Sequence, residues 1–152
     1  MEIRPYEEKD QVQLTAFIDG VLKEFDLAFS NYLDRDLLDV RQYYWNRGGQ
    51  VWVLVDDGAV VGSIAVSRIS DTVCKLRHFY VAKAERGQGW GHKLYRVALD
   101  FAHANGYREI WLSTSGKFVD AIVFYEKAGF RRSLKPLWHY RRASIFYVLK
   151  LS

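Results

Sequence analysis

The chain reads as an α/β domain, a mixed and mostly antiparallel central sheet with one parallel strand pair and helices on both faces. Three observations predict this. Two apolar, β-rich runs, residues 51–55 and 59–66, flank Asp56-Asp57-Gly58, which is the sequence of a tight antiparallel hairpin turn. A third long run, residues 73–81, extends the hairpin into a meander. After it, segments of helical period alternate with a short β-rich segment, and a strand-helix-strand order implies a parallel pair.

Taken in order, residues 3–6 form a short first strand, and Asp10 opens a helix in which Val12, Leu14, Phe17, Ile18, Val21, Leu22 and Phe25 recur near helical spacing. Periodicity lapses between Asp26 and Asp34, an aperiodic connector. It resumes over residues 35–45 through Leu37, Leu38, Val40 and Tyr44 until Gly48-Gly49 stops a second helix. The hairpin and the strand over 73–81 follow. A third helix begins near His92, carries Leu94, Val97, Ala98, Phe101 and Ala102 on one side, and ends at Asn105-Gly106. Residues 110–112 are a strand, 119–127 a helix closed by Gly129, and 145–151 a last strand.

At 152 residues, with 49% hydrophobic and 26% charged, the chain has the size and composition of one soluble domain spanning 1–152. Aromatic residues reach 16%, an excess that large core side chains, ligand walls or a homodimer surface would use. The net charge of +4 is scattered apart from Arg131-Arg132 and Arg141-Arg142, so no nucleic-acid partner is expected. Cys74 is the only cysteine, which excludes an internal disulfide and a cysteine-cluster metal site and fits a reducing compartment. No basic segment precedes an apolar run at the start, and no apolar stretch has the length of a membrane span. A cytoplasmic protein without membrane or metal is the expectation.

The most informative segment is Arg86-Gly87-Gln88-Gly89-Trp90-Gly91, which joins the strand ending His78-Phe79-Tyr80-Val81 to the helix starting near His92. Glycines at 87, 89 and 91 let successive backbone N–H groups turn toward one point. The first helical turn adds unpaired donors and a positive dipole end, so a pyrophosphate would fit. A glycine-rich turn without a ligand is the plain alternative. The run lacks the Gly-Lys-Ser/Thr ending of a P-loop, and it does not follow the first strand of a repeated series as a dinucleotide loop does.

Arg-x-x-Gly-x-Gly after an apolar strand resembles the coenzyme A pyrophosphate loop of the GNAT superfamily of N-acetyltransferases. Leu76-Arg77-His78-Phe79-Tyr80-Val81 resembles that family's preceding strand, and Phe124-Tyr125-Glu126-Lys127-Ala128-Gly129-Phe130 its later Phe-Tyr-Glu-Lys-x-Gly-Phe segment. The opening Glu2-Ile3-Arg4-Pro5-Tyr6 followed by Asp10 also resembles the family's first strand and helix start, so the likeness covers almost the whole chain. It implies acetyl-CoA as co-substrate, and direct passage of acetyl to the amine of a small molecule with no covalent enzyme intermediate. Cys74 offers no support for a ping-pong route.

Carried over residue by residue, the resemblance assigns the cofactor to Phe79, Tyr80 and Val81 of the strand, to Arg86, Gly87, Gln88, Gly89, Trp90, Gly91 and His92 of the loop, and to Thr114, Phe124 and Lys127 beyond it. Backbone N–H groups at Phe79 and Val81 would polarise the thioester carbonyl where a bulge splays the strand from its parallel neighbour. Tyr125 would give a proton to the leaving thiolate, although packing on the cofactor also accounts for it. Lys127 suits a phosphate or simply the end of a helix dipole. Phe118 stands where many members carry a pantetheine-holding Asn, so Ser113, Thr114, Ser115 or backbone groups would have to make that contact.

The general base is open. Strict alternation over 73–81, absent an early bulge, puts Lys75, Arg77 and Phe79 on one face and Cys74, Leu76, His78 and Tyr80 on the other. Lys75 occupies a position where some members carry an acidic base. Glu24, with Asp26 beside it, is the better acidic candidate for base and acceptor site, against the plain reading of solvated carboxylates at a helix end. His78 has suitable chemistry but fits equally as a core histidine, and a water relay needs no single side chain. For the acceptor, Arg77 would pair with the carboxylate of an amino-acid-like amine, whereas Glu24, Asp26, Asp34 and Asp36 would favour a polyamine. A non-catalytic acyl-CoA-binding or regulatory module, or a transferase of a longer acyl group, are the rival functions.

Overall fold

The computed structural model of the protein describes residues 1–136 and 145–151. Arg141-Arg142 lies outside the described residues. The strands are β1 (Glu2–Pro5), β2 (Gln50–Asp56), β3 (Ala59–Arg68), β4 (Val73–Val81), β5 (Glu109–Thr114), β6 (Arg131–Ser133) and β7 (Ile145–Lys150). The helices are α1 (Gln11–Lys23), α2 (Val40–Tyr43), α3 (Trp90–Ala104) and α4 (Val119–Lys127). The strands form one sheet in the order β1-β2-β3-β4-β5-β7-β6. β4 and β5 run parallel and every other neighbouring pair is antiparallel. The expected fold class is the observed one.

Local chemistry explains the element ends. Asp57 and Gly58 both take positive φ, 50° and 81°, the conformation of a type I′ turn that matches the twist of β2 and β3. α3 is closed by Gly106 at φ 78°, with Tyr107 N–H bonded back to Ala102 O at 3.0 Å, and α4 by Gly129 at φ 99°, with Phe130 N–H bonded to Tyr125 O at 3.0 Å. Both sheet faces are covered. Along β2, Val51 and Val53 pack in the cluster of Leu14, Ile18 and Leu22 from α1, while Trp52 and Leu54 join Leu94, Ala98 and Ala102 from α3. That alternation is the period of two that a strand buried on both faces requires. No helix among the described residues is long and apolar enough to cross a membrane.

Three expectations are corrected. Residues 35–45 do not make one helix: Asp39, at φ −151°, breaks them into a 3₁₀ turn at Arg35–Leu38 and the single turn of α2. The Asp39 carboxylate accepts the Gln42 N–H at 3.1 Å, so a residue counted within the helix instead caps a new one. β6 has no signature in the sequence pattern, because a three-residue strand carries no periodic signal. The third correction concerns β4. Ser63 of β3 faces Tyr80 and Ala65 faces Arg77, leaving His78 and Phe79 opposite Ile64 alone, which is a β-bulge with His78 at φ 52°. Past it the faces exchange. Cys74, Leu76, Phe79 and Val81 pack toward α3, whereas Tyr80 packs in the α1 cluster and Arg77 and His78 reach the same carboxylate. Strict alternation, and with it the separation of Arg77 from His78, does not survive the bulge.

The bulge also ends a pairing. β4 and β5 are matched only at Val73/Glu109, Cys74/Ile110 and Lys75/Trp111; β5 then continues alongside β7 as far as Thr114/Ile145 while β4 departs toward β3. The sheet opens between its two middle strands.

Candidate active site

A cavity of about 620 Å³ occupies this opening, walled by β4 from Lys75 to Val81, the end of β5, the first turns of α4, the last turn of α1, and the connector around Asp34 to Asp36. At one end stands the glycine loop. Gly87 and Gly89 have φ of 79° and 89°, the left-handed conformation that favours glycine, and a Cβ at either would meet nothing within 4 Å. Gly89 caps α3 without a side-chain bond, and Lys93 N–H is the first to turn back, to Gly89 O at 3.2 Å. The N–H groups of Trp90, Gly91 and His92 are therefore left as donors at the positive end of a fifteen-residue helix. Gly91 lies close to β4: a Cβ there would be 3.8 Å from Phe79 Cζ. These features fit a pyrophosphate.

The loop's own side chains brace it. Arg86 Nε donates to Val81 O at 2.8 Å, and its two terminal nitrogens meet both Glu24 oxygens at 2.9 and 3.0 Å. Arg86 thus ties the loop to the end of α1, leaving backbone groups to face an anion. Glu24 is consumed in the same pair, and neither Glu24 nor Asp26 lines the cavity. His92 stacks on Phe124 at 4.8 Å, and Phe124 meets Phe79 edge-on at 5.4 Å, so three of the expected cofactor residues form one aromatic wall. Lys127 lies apart, in a groove between α3 and α4 that His92 and Phe124 share. Thr114, with Ser113 and Ser115, lines the cavity, as do Phe118 and Phe25, whose rings meet at a tilt with centroids 4.6 Å apart.

Tyr125 lies in the cavity wall, 7% exposed, its ring among Phe79, Phe124 and Phe130. Its hydroxyl has no hydrogen-bond partner among the described residues. Burial pushes its ionisation well above that of an ordinary phenol, so it holds its proton at neutral pH. Cys74 is likewise a thiol rather than a thiolate, pushed up to about 12 by burial.

Opposite stands a cluster that sequence reasoning did not assemble. Asp36, 4% exposed, accepts the Tyr44 hydroxyl at 2.5 Å and His78 Nε2 at 2.8 Å on one oxygen, and its other oxygen pairs with Arg77 at 3.4 Å. Burial favours the neutral acid, but His78 and Arg77 together outweigh it, and Asp36 is held well below the usual carboxylate range. Burial and then Asp36 push the Tyr44 phenol up. Lys75, on the same wall, is brought down to about 8 by burial and by Arg77. Tyr44 read as a core position and Asp36 as one of several acids on a connector. No local spacing joins Asp36 to a histidine 42 residues away.

Comparison with known proteins agrees with this geometry. Residues 18–130 match the family model of the Acetyltransferase (GNAT) family. The chain is 34% identical over 108 residues to a mouse protein named probable N-acetyltransferase family 8 member 5, covering 68% of this chain and 48% of that one. It is 38% identical over 101 residues to the N-acetylaspartate synthetase of Xenopus tropicalis, covering 65% and 37%. The chain thus spans about half or less of the length of these curated relatives. The crystal structure of an acetyltransferase from Streptococcus agalactiae superposes with a TM-score of 0.92 at 32% identity, over 99% of this chain and 98% of that one. Loop, opened sheet and overall match concur, and the chain belongs to the GNAT acetyltransferase family.

Proposed function

We propose that the protein transfers the acetyl group of acetyl-CoA directly to the amine of a small molecule that also bears a carboxylate. The observation that carries the reading is the parting of β4 from β5 between the glycine cradle and the cavity. A cofactor whose pyrophosphate rests on the N–H groups of Trp90, Gly91 and His92 can run its pantetheine arm into the gap, where Thr114 and the unpaired edge of β4 offer polar contacts. Backbone N–H groups at Phe79 and Val81, beyond the bulge, are suited to receive the thioester oxygen as negative charge develops on it. The amine nitrogen attacks the carbonyl carbon, the C–S bond breaks, and Tyr125 supplies a proton to the departing sulfur. A protonated hydroxyl in the wall, without another partner among the described residues, favours turnover over a binding-only role.

Charge favours an acidic acceptor. Of the acids that would have held a polyamine, Glu24 is paired with Arg86. Asp34 accepts the Ser30 N–H at 2.8 Å, and Asp36 is surrounded by three donors. Arg77 and Lys75 stand on the same wall, and among the described residues the side-chain pair of Arg77 is the long one to Asp36, which leaves guanidinium donors for a carboxylate. The relative named as an N-acetylaspartate synthetase is, by that name, an enzyme of such an amine. The test is incubation with acetyl-CoA and a panel of amines, with and without a carboxylate, read by mass spectrometry. Acetylation of amino-acid-like members is expected, and preference for polyamines, or no product from any member, would overturn the reading.

A further inference from the structure

We infer that His78 is the catalytic base that takes the proton from the substrate nitrogen, with Asp36 as the residue that positions it. The inference rests on the acetyltransferase reading above. A carboxylate only accepts hydrogen bonds, so the 2.8 Å contact requires the proton on His78 Nε2. In the neutral ring this leaves the lone pair on Nδ1, which has no partner among the described residues. Tyr44 and Arg77 hold the carboxylate from two further directions, so it cannot turn away from the ring.

Placement supports a functional rather than a packing role. His78 adopts φ 52°, a conformation that glycine or asparagine would take more readily, and it is kept there by Ser63 Oγ on its carbonyl at 2.6 Å and Asp36 on its ring. It is the bulged residue itself, immediately before Phe79, so one distortion of β4 both opens the sheet and brings an imidazole to the cavity beside the backbone expected to hold the thioester oxygen. The charged and titratable groups around it are Asp34, Asp36 and Tyr44 from the segments flanking α2, and Lys75, Arg77 and Tyr80 on its own strand. α1 contributes the apolar Val21 and Leu22, and β3 contributes Ser63.

The substrate nitrogen enters as a neutral amine, forms the N–C bond, and loses one proton to Nδ1. The C–S bond breaks with its electron pair on sulfur, which takes the Tyr125 proton. His78 then releases its proton to solvent and Tyr125 recovers one, so the net transfer is from nitrogen to sulfur.

The experiment combines steady-state kinetics of wild type, His78→Gln and Asp36→Asn across pH with nitrogen-15 NMR of the histidine rings and calorimetry of acetyl-CoA binding. Wild type should show the Nε2–H tautomer and an acid limb in kcat. His78→Gln should lose about 10²-fold in kcat and lose that limb, with acetyl-CoA affinity within 3-fold. Asp36→Asn should lower kcat and move the limb to lower pH, because the imidazolium loses its carboxylate partner. If the buried Asp36 variant does not fold, His78→Gln and the tautomer decide alone. An Nδ1–H tautomer, or His78→Gln retaining kcat within 3-fold with the limb in place, would overturn the base while leaving the acetyltransferase reading intact. A wild type that acetylates no amine would overturn both.

Discussion

At Tyr125 the surroundings suit the proton-donor role proposed for it. Its ring is fixed by three aromatic neighbours and its hydroxyl, buried in the cavity wall, stays protonated across the neutral range. Tyr125→Phe keeps the packing and removes the proton donor. kcat should fall by about 10²-fold while the calorimetric affinity for acetyl-CoA stays within a factor of about two. An unchanged kcat, with chemistry established as the slow step, would reduce Tyr125 to a wall. The segments that carry Tyr125 and the loop glycines are legible in the sequence because each is a contiguous motif with local spacing. The Asp36 cluster is not, since its members come from residues 36, 44, 77 and 78 and meet only after folding. Glu24 reads from the sequence either as an acid for the acceptor site or as a solvated carboxylate at a helix end, and the structure pairs it with Arg86, 62 residues away.

That pair operates between elements. Arg86 clamps the strand end at Val81 O and the α1 end at Glu24 while the loop it begins curves toward the head of α3. Glu24→Gln should leave amine selectivity unchanged and weaken acetyl-CoA binding by about 2- to 5-fold, the modest loss proper to a half-exposed ion pair, with the difference shrinking in high salt. A change in amine preference without loss of cofactor affinity would return Glu24 to the acceptor site. Elements themselves were legible where period and caps agreed, as in α3 and α4, whose glycine stops fell where expected. They were illegible where backbone broke the period. Asp39 restarts a helix that apolar spacing had run through, and the His78 bulge shifts every later β4 side chain to the opposite face. The second matters more: the resemblance implies a bulge in this strand but not its position, and the position at His78 is what brings Arg77 and His78 to one carboxylate.

Across the whole molecule, the sheet is covered on both faces, and its β1 edge is tied to the start of the first helix. At the β1 edge, Arg4 reaches over the start of the first helix to both oxygens of Asp10 at 2.8 and 2.9 Å, and Asp10 also accepts the Glu7 N–H at 2.8 Å. The bonds from Arg4 outweigh burial, and with the Glu7 amide they lower the Asp10 ionisation below that of an ordinary carboxylate. Because the folded value is depressed, the contribution of Asp10 to stability is fully present above the unfolded carboxyl value, about 3.9, and is lost as pH falls through the folded one. Arg4 stays charged throughout that window. Asp36, depressed for its own reasons, loses stability in the same direction, so the acid sensitivity of wild type alone does not isolate Asp10. The difference between wild type and Asp10→Asn does. At pH 7 the variant should be less stable by about 1.5–3 kcal/mol, the range for hydrogen bonds to a charged group, which corresponds to roughly 3–12 °C in Tm for a chain of this length. As pH falls below the unfolded value, wild type protonates Asp10 and the two melting curves should converge. Urea titrations at neutral and acid pH measure both gaps. A gap that persists undiminished in acid would mean that Asp10 acts through shape at the helix start, and that its charge adds nothing to holding the β1 edge against α1.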